Sequence, residues 1–214
     1  MRLPKSGPVV LSGDMADQMP NWNAKRAPSF NFNVEQSVLS MQETQAFMAA
    51  GHSFGAYTVM ALAGATVQLT SLGARAYPDA PIKAFVAISP QGPDEQFRDY
   101  AWKNISDPVM TISGSRDRGV AGESPEWRRI AYDSMPAGDK YLVYVHGATH
   151  MAFALPSELT ETVPGSGMPS AQEIVKVAAL AFFNAYLLQN TANETDLKQQ
   201  FAQDWRGSVE FKVK

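Results

Sequence analysis
Cysteine is absent from the 214 residues, which excludes disulfides, zinc–thiolate centres and a thiol nucleophile and leaves the redox compartment open. Histidine is scarce. Only His52, His146 and His150 occur, so a histidine-rich metal site is disfavoured and any acid–base imidazole must be one of these three. No apolar run reaches the roughly eighteen residues that cross a bilayer, and Met1-Arg2-Leu3-Pro4-Lys5-Ser6-Gly7 is not followed by the long hydrophobic segment of a secretion signal. The expectation is a soluble chain without a signal peptide, with a cytoplasmic location favoured. Charges of the two signs are interspersed, giving a formal net charge of −3 and a pI near 5.6. With no basic block to track phosphates, neither nucleic acid nor membrane is an expected partner.

What is present is material for a core. At 45% hydrophobic residues the chain can bury one sizeable apolar interior, and a single domain over 1–214 is expected, with an atypical amino-terminal segment (1–45), a core (46–188) and a polar tail (189–214). From residue 46 onward strand-like runs alternate with helical patterns, which predicts an α/β class with a mostly parallel sheet covered by helices on both faces. The strands are expected at 46–50, 82–89, 108–113 and 141–145. Helices are expected at 56–63, 124–135 and 170–188, the last opened by a capping box of Ser170 and Glu173 and carrying Ile174, Val177, Ala178, Ala181, Phe182, Ala185 and Leu188 at helical spacing. Residues 156–170 read as a Pro-, Gly- and Ser-rich loop, and no element is assigned in 191–214. Before residue 46, Pro8–Leu11 suits a short strand, 19–33 an irregular stretch and Val34–Met41 a helix.

One motif carries chemistry. Gly51-His52-Ser53-Phe54-Gly55 lies between an apolar run and the alanine-rich stretch Ala56-Tyr57-Thr58-Val59-Met60-Ala61-Leu62-Ala63, the strand–turn–helix context of a nucleophile elbow. The bare pattern would arise by chance in about one chain in fifteen of this length, so the flanking context carries most of the signal. In so tight a turn the side chains flanking the serine would collide, which predicts a need for glycine at both 51 and 55. Ser53 would be lifted above the sheet edge. The N–H of Phe54, at the helix start, would face a developing oxyanion with help from the helix dipole.

A serine hydroxyl is a weak nucleophile at neutral pH, so Ser53 needs a base within reach and a third group to orient that base. Usable strand ends in open α/β sheets are the carboxyl ends. Asp117, four residues past the strand expected to end at Ser113, is favoured over Asp107, which precedes that strand, and over Glu123, deeper in the next loop. The competing role for Asp117 is to cap its turn or to pair with Arg116 or Arg118. For the base, His150 is favoured over His146, because a four-residue loop after the last strand lets it arch towards Ser53. His52, inside the turn, is expected to pack beside it. Met151 and Phe153, with Phe54 and the loop after Ser89 that holds Gln91, would wall an apolar substrate pocket.

The order Ser53, Asp117, His150 resembles the α/β-hydrolase superfamily. More narrowly, Ala50 to Thr58, Ser113-Gly114-Ser115-Arg116-Asp117, Gly147 to Phe153 and Ala181 to Leu187 resemble the branch of dienelactone hydrolases and platelet-activating-factor acetylhydrolase-like esterases. The likeness covers about residues 46–188. It implies hydrolysis of a small-molecule ester through an acyl-enzyme, without a cofactor or metal; thioesterase, acyltransferase and perhydrolase chemistry, or ligand binding on a non-catalytic hydrolase fold, are the alternatives. Members of that branch place several strands before the elbow, and a loop among them completes the oxyanion hole. Here the matching stretch is Val9-Val10-Leu11-Ser12-Gly13. The chain is therefore expected to be shortened at its amino terminus, with Gly13 or Ser12 as second oxyanion donor and an exposed sheet edge that favours a homo-oligomer.

Overall fold
The computed structural model describes residues 47–69, 73–78, 81–154, 170–187 and 191–214. The strand and helix proposed before residue 46, the candidate donors Ser12 and Gly13, and the loop 156–169 lie outside them. Among the described residues five strands form one sheet in the order β1 (Phe47–His52), β4 (Ile82–Ile88), β5 (Val109–Arg116), β6 (Lys140–Thr149) and β7 (Val209–Val213). The first four run parallel, and β7 pairs antiparallel with β6. The class is α/β with a mostly parallel sheet. A separate two-stranded ribbon joins β2 (Val67–Leu69) to β3 (Gly73–Arg75).

Strand alternation divides the interior in two. Phe85, Ala87, Val109, Leu142 and Tyr144 point to one face and pack with Ala56, Val59 and Met60 of helix α1 (Phe54–Leu62), with Phe97, Trp102 and Ile105, and with Ala131 and Tyr132 of the short α2 (Ile130–Ser134). Tyr141, of opposite parity, meets Phe182 of α3 (Ala171–Leu187) with ring centroids 5.4 Å apart. Beyond it, Phe201 of α4 (Thr191–Asp204) lies 5.0 Å from Phe211 of β7. Helices thus cover both faces. Each large side chain so buried contributes about 1.5–3 kcal/mol, which is what holds a sheet this apolar between its helices.

Local signals account for the ends of elements. Helix α1 stops at Gly64, whose φ of 102° suits the left-handed residue after a helix: Gly64 N–H donates to the carbonyl of Ala61 (3.1 Å) and Ala65 N–H to that of Met60 (2.9 Å), a Schellman closure. At the start of α3 the Ser170 hydroxyl accepts the Glu173 N–H at 3.2 Å, the N-cap bond of the expected box.

Four expectations need correction. Strand β5 runs on to Arg116 and β6 to Thr149, because a shift of register near Gly114 lets Arg116 pair with Thr149. A Cβ at Gly114 would stand 2.2 Å from the carbonyl oxygen of Ala148, so glycine is what permits the approach. His146 consequently lies within the strand, its N–H held by the Ser208 carbonyl at 2.9 Å, and His150 follows the strand directly instead of after a four-residue loop. The helix expected over 124–135 is divided into a 3₁₀ turn, Pro125–Arg129, and α2; such tight turns are common at helix starts. The stretch read as a polar tail supplies α4 and the edge strand β7.

Candidate active site
Strand β1 delivers the chain to Ser53, and α1 leaves from the next residue. Ser53 has φ 57° and ψ −116°, a conformation that costs a non-glycine residue about 1–3 kcal/mol and is held only where surroundings over-determine it. Here the Ser53 N–H donates to the Ile88 carbonyl of β4 at 2.9 Å, and the Ser53 carbonyl accepts the Tyr57 N–H at 3.1 Å. A Cβ on Gly51 would stand 2.4 Å from the backbone of Gly55, so glycine at 51 is obligatory. Glycine at 55 is not, contrary to expectation. A Cβ there meets nothing within 4 Å, because Gly55 sits on the exposed start of the helix.

The structure brings Ser53, Asp117 and His150 together. His150 opens the 3₁₀ turn His150–Phe153, with Nε2 3.0 Å from Ser53 Oγ and Nδ1 2.9 Å from Asp117 Oδ1. An ionised carboxylate only accepts hydrogen bonds, so Nδ1 carries the proton and Nε2 is the lone-pair nitrogen facing the Ser53 hydroxyl. Three strand ends converge: β1 supplies Ser53, β5 Asp117 and β6 His150. His146, the competitor, is exposed on β6.

Asp117 is fully buried and pairs with neither Arg116 nor Arg118. Its Oδ2 accepts the hydroxyls of Ser89 (2.6 Å) and Ser113 (3.0 Å), and its Oδ1 lies 2.8 Å from the Nε of buried Arg128. Arg128 also donates to four main-chain carbonyls: Nε to Asp117 (3.0 Å), Nη1 to Ser89 (2.8 Å) and Pro90 (3.1 Å), and Nη2 to Arg118 (2.9 Å). Burial pushes the guanidinium pKa down and Asp117 pushes it back up. Ser89 holds a left-handed φ of 52°, the second strained serine of the site.

Sequence reasoning missed Arg128, Ser89 and Ser113. Ser113 was within reach of it, since it closes the expected strand 108–113, four residues before Asp117. Arg128 left no signal, because an arginine in an amphipathic stretch reads as solvated.

His52 does pack beside the turn, and it also touches the candidate base. Its ring centroid is 4.7 Å from that of His150, and its Nε2 donates to the His150 carbonyl at 3.1 Å. Burial first, and then the neighbouring His150, lowers the His52 pKa. Phe153 is buried with its ring 6.5 Å from His52, so it backs the histidine pair. Phe54 and Met151 are the open apolar groups, 72% and 46% exposed. Phe54 stacks on Tyr57 at 5.6 Å, and Tyr57 on Phe97 at 4.5 Å, a ladder from solvent into the core. Gln91 keeps its side-chain oxygen buried without a hydrogen-bond partner among the described residues, a free acceptor three residues past β4.

Chemically the arrangement can take a proton from Ser53, hold it on an oriented imidazole and stabilise the resulting imidazolium with a buried carboxylate. The first N–H groups of α1 are not consumed by the helix ladder and remain for an anion beside Ser53. Among the described residues no three His, Asp or Glu side chains gather as a metal-ligand set, and no helix is long and apolar enough to cross a membrane. No protein-family model matches the sequence, and comparison with curated proteins gives no match.

Proposed function
We propose that this chain is a serine hydrolase of the α/β-hydrolase superfamily, cleaving carboxylic esters of small to medium acyl chain through an acyl-enzyme. The observation that carries the reading is the unbroken relay from Asp117 through His150 to Ser53, with both links at hydrogen-bond distance. It stands at the carboxyl ends of parallel strands, where open α/β sheets bind ligands. The strained backbone of Ser53 adds support, since strand-to-helix turns of this kind present a nucleophile.

In this cycle Ser53 Oγ attacks the ester carbonyl while its proton passes to His150 Nε2. The oxyanion develops towards the Phe54 N–H, and Asp117 holds the Nδ1 proton of the imidazolium. His150 then protonates the departing alcohol. Water, deprotonated by the same nitrogen, attacks the acyl-enzyme, and the carboxylic acid leaves as Ser53 regains its proton. Phe54 and Met151 offer apolar contact to the acyl or alcohol part. Arg128 is spent on Asp117 and four carbonyls, so it cannot hold an anionic substrate.

Hydrolysis of matched chromogenic esters tests the reading. Neutral esters should be cleaved and preferred to those with a carboxylate near the scissile bond, and Ser53→Ala should lower kcat by about 10⁶ without loss of fold. A Ser53→Ala protein that kept its activity would remove Ser53 as nucleophile.

A further inference from the structure
We propose that Arg128 is a positioning residue that sets the protonation equilibrium of His150 through Asp117. It would neutralise part of the buried carboxylate, so that the imidazole stays unprotonated and able to act as a base at neutral pH. The inference rests on the hydrolase reading for its meaning in catalysis, but its physical content concerns the resting protein.

The observations converge on Asp117 Oδ1. This one oxygen faces His150 Nδ1 at 2.9 Å and Arg128 Nε at 2.8 Å, so imidazole and guanidinium draw on the same negative charge. A carboxylate with no other counter-ion would favour an imidazolium beside it and raise the histidine pKa. A permanent cation on the same oxygen opposes that. Arginine suits the task because its guanidinium keeps its charge even when desolvated. Its other donors go to the carbonyls of Ser89, Pro90 and Arg118, which ties the ends of β4 and β5 around the carboxylate and fixes the distance over which the charge acts.

Among the described residues, Arg116 and Arg118 flank Asp117 along the chain and His146, on β6, precedes His150. His52 stacks on His150, Glu123 and Asp117 act on Arg128, and Tyr144 feels Asp117. Helix α3, packed against the turn that begins at His150, carries Glu173, Lys176 and Tyr186; none of them is among the charges that shift His52, the ring closest to His150. Among the described residues Arg128 is the cation in direct contact with the Asp117 carboxylate.

The test is the titration of the His150 imidazole by NMR, which three histidines make assignable and which needs no turnover. Arg128→Gln should raise the His150 midpoint by about one pH unit or more, and Arg128→Lys, which keeps the charge, should leave it close to that of the parent chain. Removing a cation from beside the pair favours the protonated form, so the apparent midpoint rises whichever of the two groups holds the proton. An unchanged or lower midpoint in Arg128→Gln overturns the proposal.

Should Arg128→Gln not fold with an uncompensated buried carboxylate, Asp117→Asn and the double variant Asp117→Asn/Arg128→Gln provide the comparison. With the carboxylate gone the two should titrate alike; a double variant that titrated higher would place the effect of Arg128 directly on the imidazole and overturn its action through Asp117. In kinetics the acid limb of kcat/KM should move upward with the NMR midpoint in Arg128→Gln, whereas a merely structural role would lower kcat with the limb in place. If Ser53 proved not to be a nucleophile the hydrolase reading would fail, while the NMR shift would still decide the role of Arg128.

Discussion

The two ends of the relay are built differently. Asp117 is fully buried and both of its oxygens are engaged, with two serine hydroxyls, an imidazole and a guanidinium converging on one carboxylate. Around Ser53 the neighbours are open: Phe54 is 72% exposed and the Cβ position of Gly55 is empty. In the proposed reaction the carboxylate is a fixed partner and is held by the interior, whereas the hydroxyl would meet a substrate and needs access. His150, with its side chain 24% exposed, is the joint between them.

The largest effects should come from breaking that joint. His150→Ala should lower kcat by about 10⁶, in the range of losing a base from a serine triad. His146→Ala, on the exposed part of β6, should change kcat little. The reverse ranking, measured on the same ester, would remove His150 as the base. At the buried end, Asp117→Asn should lower kcat by about 10⁴ through loss of the correct tautomer, and Ser113→Ala, which removes one of two hydroxyls from Oδ2, should cost far less. An Asp117→Asn enzyme with full kcat would assign the orienting role to another group.

The open end can be sharpened with two glycines. Gly51→Ala should destabilise the fold by about 3 kcal/mol, since its methyl would meet the backbone of Gly55 and not a movable side chain. Gly55→Ala should be neutral or stabilising by up to about 1 kcal/mol, because alanine suits a helix better. Equal losses of Tm in thermal unfolding would contradict the turn geometry.

The smallest effect concerns pH. Burial and His150 hold the His52 pKa below its ordinary 6.5, so between the folded value and 6.5 the unfolded chain binds more protons and stability rises with pH. That contribution is fully present above 6.5 and is lost as pH falls through the folded value. Melting temperatures over this window should slope less in His52→Asn than in the parent chain. Parallel slopes would mean that His52 does not titrate differently in the two states.

Much of the sheet and the three relay residues were legible because the signals are local. Apolar runs bounded by Gly and Pro marked β4 and β5, the Gly-x-Ser-x-Gly turn marked Ser53, and strand ends pointed to Asp117 and His150. The failures are of another kind. The strand expected at 141–145 continues instead to Thr149, because Thr149 pairs with Arg116 of β5 after a shift of register. Strand β7, with Glu210 and Lys212 among its five residues, lacks a continuous apolar run because it is an edge strand whose partners are supplied by tertiary structure. Arg128 was hidden for the same reason. Its value lies in carbonyls 10, 11, 38 and 39 positions away, and no pattern within its own segment encodes them.

The central claim is that Ser53 is an activated nucleophile, and the most direct measurement is covalent labelling by a fluorophosphonate followed by mass spectrometry of the modified peptide. The account predicts one label per chain, located on Ser53, formed far more slowly in His150→Ala and absent in Ser53→Ala. A folded parent chain that takes no label, or takes it on another residue, would contradict it.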